Sequence, residues 1–252
     1  VRPAIVSSTR PLTGVLWGRG TATAPTGERV LFKIVQPAKT LANLEVLGAE
    51  TKRWGKTRSR VMRLYNQNQA SRVLIDRVVF CDHAFFYAAD LVRLGDKDVL
   101  MAQAQDGKIL GVIDYDFLSG AEQHHATAPF HHVYIKDLAT DPDSLEGTPG
   151  GPKLRGVGTA LVAAFATVVL RSIERLPHLW PKPEIWLDTL DQDAAKFWAG
   201  RGFHRGITGT WKLTGTDKIR ALIGHCQLEP HTPNDIVLCG EPQRVAADLA
   251  RI

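Results

Sequence analysis

Between Val133 and Leu190 the chain runs through an extended stretch, a glycine-rich turn, a long apolar helical stretch and a second extended stretch. Strands interleaved with helices in this way call for an α/β sheet with helices on its faces. Val133–Thr140 reads as a strand ended by Asp141-Pro142. A helix starts at Gly156 or Val157 and runs to about Leu176, with Leu161, Phe165, Val168 and Val169 able to face a sheet. Glu184–Leu190 is the next strand, followed by a helix from Asp191 to about Ala199, and Ile207–Leu213 reads as a closing strand.

Upstream, Val99–Gln105 and Lys108–Phe117 flank Asp106-Gly107, a pair suited to the positive φ angles of a type I′ hairpin. Val30–Val35 and Arg72–Phe80 (R-V-L-I-D-R-V-V-F) are rich in β-formers and read as strands. Asp82 then caps a helix from His83 to Leu94, which Gly95 stops. Lys39–Tyr65 has helical spacing, with Leu47, Trp54 and Val61 seven apart on one stripe, while Gly48 and Gly55 allow two helices in place of one. The first 28 residues, rich in Gly, Thr, Pro and Arg, read as an irregular arm. Short amphipathic helices are expected near Asp217–Ile223 and Pro242–Ile252. The division expected is an N-terminal extension over 1–71, a central domain over 72–213 and a helical tail over 214–252.

Of the 252 residues, 44% are hydrophobic and 23% charged, enough for a sizeable core and too apolar for disorder. Cys81, Cys226 and Cys239 are odd in number and far apart, which excludes a disulfide framework or a spaced thiolate zinc site and fits a reducing, cytoplasmic compartment. The apolar run Gly156–Leu170 falls short of the roughly 20 residues a bilayer span needs, and no signal-peptide pattern opens the chain. A net charge of +5 suits an anionic ligand without requiring nucleic acid.

The chemistry concentrates in two stretches. Leu138-Ala-Thr-Asp-Pro142 is followed by Lys153-Leu-Arg-Gly-Val-Gly-Thr-Ala-Leu161, in which Gly156 and Gly158 feed a helix N-terminus. Free N–H groups and the positive end of the helix dipole favour phosphate there, and glycine permits close approach. The same glycines also serve to pack a helix tightly on a sheet. Neither a third spaced glycine nor a G-K-[ST] ending is present, so this is not a Rossmann turn or a P-loop. The second stretch, Asp191-Gln-Asp-Ala194-Ala-Lys-Phe197-Trp198-Ala-Gly-Arg-Gly202-Phe203, follows a strand and ends on a glycine–aromatic break.

Together these stretches resemble the two signature motifs of the GNAT superfamily of acyl-CoA-dependent N-acyltransferases, and the strand pair Val99–Phe117, with Gly111, looks like that family's second and third strands. The resemblance covers about residues 72–213. It implies a mixed, splayed β-sheet with helices on both faces, acetyl-CoA as the acyl donor and an amine as the acceptor. Backbone groups of Leu138, Ala139 and Thr140 would bind the pantetheine arm and polarise the thioester. Lys153 stands at the motif's Gln or Arg position, and N–H groups from Leu154, Arg155, Gly156, Val157, Gly158 and Thr159 would cradle the pyrophosphate. Asp191 takes the place of an asparagine on the pantetheine arm, and Phe197 packs beside the cofactor. Trp198 stands where the family usually has a tyrosine acid, and about eight extra residues within Asp143–Pro152 enlarge the entrance loop.

Asp137 and Tyr134, beside the expected thioester, are the candidates for base and acid, although strand alternation puts them on opposite faces. Asp114 and Asp116 line an acceptor pocket or face water. His124, His125, His131 and His132 match no zinc spacing and read as loop histidines, so no metal is expected. Lys52, Arg53, Lys56, Arg58, Arg60 and Arg63 form either an anion-binding face, for RNA or the CoA adenosine phosphate, or a solvated helix face; Trp54 beside them stacks on a base or joins the core. The expected function is transfer of acetyl or another short acyl group from acyl-CoA to a primary amine. The alternatives are a non-catalytic CoA- or partner-binding module and acetylation of an RNA-borne amine such as aminoacyl-tRNA.

Overall fold

The computed structural model describes residues 10–119, 130–151, 153–177, 180–206, 209–225 and 229–230. Strands β1 (Gly14–Thr23) and β2 (Arg29–Pro37) form a hairpin, followed by helices α1 (Leu41–Asn66) and α2 (Arg72–Leu94). Strands β3 (Val99–Ala104), β4 (Ile109–Ser119) and β5 (Phe130–Thr140) come next, and α3 (Val157–Arg175) crosses over to β6 (Glu184–Leu187). Helix α4 (Gln192–Ala199), β7 (His204–Arg205), β8 (Trp211–Thr214), α5 (Thr216–Ile223) and β9 (Glu229–Pro230) complete the described chain. Among the described residues the nine strands form one sheet in the order β7-β8-β6-β5-β4-β3-β2-β1-β9. Within it β5 and β6 run parallel, and the other neighbours are antiparallel. Mixed strand directions and helices on both faces match the architecture expected.

Each face of the sheet carries its own core. On one face α3 buries Leu161, Phe165, Val168 and Val169 against Leu100, Ile113 and Tyr115. By length and composition α3 would pass for a membrane span, yet 67% of its apolar stretch is buried inside the protein. It is a core helix here. On the other face Leu47 and Trp54 of α1 and Phe85, Ala88 and Val92 of α2 pack on Val99, Met101 and Val112. The Leu47–Trp54–Val61 stripe is therefore core, and Trp54 stacks on Phe85 with ring centroids 4.4 Å apart.

Several expectations are corrected. Arg72–Phe80 is helical and continuous with the segment expected from His83: Ser71 caps α2 by accepting from the Leu74 N–H, and Gly95 ends it in the left-handed region. Asp82 is thus buried mid-helix, paired with Arg58 at 2.7 Å. Its β-branched residues suggested a strand, but Leu74, Val78, Cys81, Phe85, Ala88 and Val92 recur at intervals of three and four and bury one side of a helix. The irregular arm contains β1, whose Trp17 and Ala22 lie in the same core as α3, and Gly48 and Gly55 sit within one continuous α1. Residues 14–71 are accordingly part of the packed unit, and the 71/72 boundary falls at a helix cap inside it. In the β3–β4 hairpin only Gly107 has positive φ, so the turn is a three-residue loop with a left-handed glycine. The short helix near Asp217–Ile223 is present as α5. The one expected over Pro242–Ile252 lies outside the described residues.

Gly111 sets how closely α3 approaches the sheet. A Cβ there would stand 2.9 Å from the Ala139 carbonyl oxygen and 3.0 Å from side-chain carbons of Leu161 and Val157. Gly111→Ala must push α3 or β5 aside, and the expected loss of stability is about 1–3 kcal/mol, measured by urea denaturation. An unchanged midpoint would show that α3 yields freely.

Candidate active site

The β5–β6 pairing ends at Ile135 and Leu187, whereas β5 stays paired with β4 as far as Thr140 and Gly111. From Lys136 onward one edge of β5 therefore faces an open cleft of about 530 Å³. Leu138 and Thr140 line one wall, Asp188 to Asp191 with Phe197 and Trp198 the other, and Arg77, Phe80 and Cys81 of α2 reach over it. The Asp141 N–H donates to the Leu110 carbonyl at 2.8 Å, so alternation turns the Ala139 amide toward β4 and those of Leu138 and Thr140 toward the cleft. The Thr140 backbone hydrogen-bonds the buried Cys81 thiol, which burial pushes up to about 12. That leaves the Leu138 N–H directed into the cleft. A larger hollow of about 670 Å³ lies over Arg19, Leu31 and Lys33 on the β1–β2 hairpin and holds none of the motif residues.

At the end of the cleft sits the N-terminus of α3. Its cap, Gly156, has φ 103° and brings no side chain to the first-turn amides. Arg155 is removed from the expected cradle, because its N–H donates to the Thr23 carbonyl and its own carbonyl accepts from Thr23, both at 3.0 Å. The Gly156-to-Thr159 turn remains for an anion. Lys153 and Arg155 are exposed and Leu154 is half-buried. A Cβ on Gly158 would meet only Thr140 Cγ2, at an ordinary 3.7 Å, so protein packing does not demand glycine there.

Helix α4 closes the other wall. Asp191 is its N-cap, accepting from the Ala194 N–H at 2.8 Å, and it also pairs with Arg77 at 2.7 Å. Its carboxylate is engaged within the protein, and against the opposing effect of burial the Ala194 N–H and then Arg77 hold it below the usual carboxylate range. Arg77 also reaches Asp193 at 2.6 Å and so ties α2 to α4. Trp198 is buried against Phe197 and Phe203. Arg201, which no motif singles out, lies 3.4 Å from the Phe197 ring centroid and donates to Thr159 Oγ1 at 2.6 Å. It joins the first turn of α3 to α4.

The acids lie on the α2 side of β4 and β5. Asp114 pairs in register with Asp137 and Asp116 with Tyr134, yet one residue separates the first two and two separate the second. The extra residue, Lys136, is a β-bulge that puts Tyr134 and Asp137 on the same face, against the expectation from alternation. Tyr134 donates its hydroxyl to Asp188 at 2.7 Å, and burial together with that carboxylate raises its pKa to about 12. Burial also raises Asp137. Asp114 is fully buried, neither of its oxygens has a hydrogen-bond partner, and burial followed by the Asp137 charge raises it to about 8. In the sequence Asp114 is one of two alternating strand acids, with Asp116. Only its burial singles it out.

The basic segment does not form one free face. Arg53 pairs with Glu50, Asp141 and Asp143, Arg58 with Asp82, and Arg60 with Asp143, while Lys52, Lys56 and Arg63 are exposed. Asp143 also accepts from Thr57 at 2.8 Å, so these cations fasten the start of the enlarged loop to α1. His132 belongs to β5, buried and stacked 3.8 Å from Trp186, where a solvated loop was expected. His124 and His125 lie outside the described residues.

No family model and no curated protein matches the chain. Solved structures do. The AtaT toxin, in a mutant form bound to the C-terminus of the antitoxin AtaR and acetyl-CoA, is 17% identical over 61% of this chain and 85% of its own, with a TM-score of 0.37. A GNAT-family acetyltransferase from Listeria monocytogenes is 10% identical over 78% of this chain and 99% of its own, at 0.36. Mycobacterium smegmatis RimJ in complex with CoA-disulfide is 11% identical over 84% and 96%, at 0.35. Likenesses this slight carry no substrate or activity across. The mixed sheet, the β5–α3–β6 crossover, the splay at Ile135 and Leu187 and both motif stretches at their expected places give this chain a GNAT-like fold.

Proposed function

We propose that the protein transfers an acetyl, or another short acyl, group from acyl-CoA to a primary amine. The observation that carries this reading is the cleft opened where β5 parts from β6, with an uncapped helix N-terminus at one end and paired carboxyls beside it. An extended pantetheine arm suits an unpaired strand edge, and pyrophosphate suits the Gly156-to-Thr159 turn. The Leu138 N–H supports negative charge developing on the thioester oxygen. The amine nitrogen attacks the carbonyl carbon, the carbon–sulfur bond breaks, and the proton lost by nitrogen passes to the Asp114–Asp137 pair. Trp198 is an indole that cannot give up a proton, and Tyr134 already donates to Asp188. The thiolate therefore takes its proton from water, which suits a good leaving group.

Release of CoA thiol from acetyl-CoA, followed over small amines, lysine peptides and charged tRNA, tests the proposal. Turnover is expected with small amines or peptides. Turnover on charged tRNA alone moves the acceptor to an RNA-borne amine. Tight acetyl-CoA binding with no turnover on any of the three replaces the proposal with a non-catalytic CoA-binding module.

A further inference from the structure

We infer that the Asp114–Asp137 carboxyl pair on the α2 side of β4 and β5, beside the cleft, receives an alkylammonium ion, so that the acceptor is an aliphatic amine with no carboxylate or phosphate beside its nitrogen. This rests on the acyl-transfer reading and names the acceptor class for the same site. Asp114 is 0% exposed, with both oxygens unbonded, and Asp137 stands directly opposite it across the bulge. A buried carboxylate without a partner is costly, and it needs either a proton or a cation. An alkylammonium offers three N–H donors to the four oxygens of this pair.

The neighbouring charges select in the same direction. Asp116 shares the face and holds Lys136 at 2.6 Å, and Asp188 holds the Tyr134 hydroxyl. Lys136 is thereby engaged, and it also lies 5.8 Å from the Tyr87 ring centroid. Arg77 is held between Asp191 and Asp193. An anionic group entering here meets carboxylates, and both nearby cations already have acid partners. Phe80 on the cleft wall and the exposed Tyr87 present apolar surface to an aliphatic chain. The carboxyl pair adjoins the cleft through Cys81, which lines it and feels the Asp137 charge. On arrival the ammonium gives one proton to the pair. The neutral nitrogen then bonds the acyl carbon as the carbon–sulfur bond breaks, and its second proton passes through water to the departing thiolate, so that CoA leaves as the thiol.

Calorimetric titration of the full chain with CoA, and then with putrescine, a single-lysine peptide and glycine, tests the inference. The two cationic probes, which separate a free polyamine from a peptide lysine, should bind at least about tenfold more tightly than glycine. Asp114→Asn and Asp137→Asn should each weaken the better cationic probe at least about tenfold while leaving CoA affinity unchanged. A folded variant that binds amine as wild type does overturns the assignment, and so does glycine binding as tightly as putrescine. If no amine binds, the inference fails whatever CoA does. If amines bind and CoA does not, the acyl-transfer reading fails and the ammonium site stands.

Discussion

Gly158→Asp should abolish CoA binding and leave the fold intact or slightly more stable. The two effects have opposite signs for one physical reason. Position 158 is in the first turn of α3, where the uncapped amides and the helix dipole favour negative charge. In the free protein a carboxylate there satisfies the helix end, a gain of about 0.3–1 kcal/mol, and its Cβ meets Thr140 Cγ2 at no less than 3.7 Å. The same carboxylate occupies the place proposed for the pyrophosphate and repels it. Affinity for CoA should fall by at least about a hundredfold, roughly 2.8 kcal/mol, in a calorimetric titration. Gly158→Ala should fall between, because it adds bulk without charge. Gly156 makes a poorer probe, since its φ of 103° strains any substituted residue whether or not a ligand binds. Wild-type affinity in a folded Gly158→Asp variant would remove the cradle from this turn.

What could be read from the sequence follows from how local each signal is. The stretch from β5 through α4 was legible because its determinants sit within a few residues of one another. Gly156 breaks the chain into α3, the apolar positions of α3 repeat at helical spacing, and Asp191 caps α4 three residues before the amide it accepts. Strand β1 was not, because Gly14, Gly18 and Gly20 dilute its alternation and Arg19 and Thr23 face outward. Helix α2 escapes a local reading because β-branched residues favour strands locally, while burial against α1 decides the matter at long range. The partners of the basic segment lie far along the chain: Arg53 and Arg60 meet Asp143, some 90 and 83 residues away. Nothing near Lys52–Arg63 announces those acids. The Lys136 bulge leaves no local mark either, and without it the shared face of Tyr134 and Asp137, and the isolation of Asp114, stay hidden.

Asp114→Asn should stabilise the protein, and the gain should grow with pH. In the unfolded chain Asp114 titrates near the ordinary carboxylate value of 3.8; in the fold, burial and the Asp137 charge raise it to about 8. Between those limits the folded state holds a proton that the unfolded state releases, so stability falls as pH rises through the window. Below it both states are protonated and no penalty is felt. Above it the fold must carry a buried carboxylate with no hydrogen bond to either oxygen. Asparagine keeps the shape and removes the charge. Wild type and variant should therefore melt alike near pH 4 and diverge toward pH 9, with the variant ahead by a few kcal/mol on the order of magnitude that such a shift implies. Thermal melts of both across that range are the measurement. Saturating putrescine should narrow the gap near neutral pH, because an ammonium lying on Asp114 replaces the missing proton. Parallel pH profiles would mean that water or a rearranged partner already solvates Asp114, and the carboxyl pair would then lose its claim on the amine.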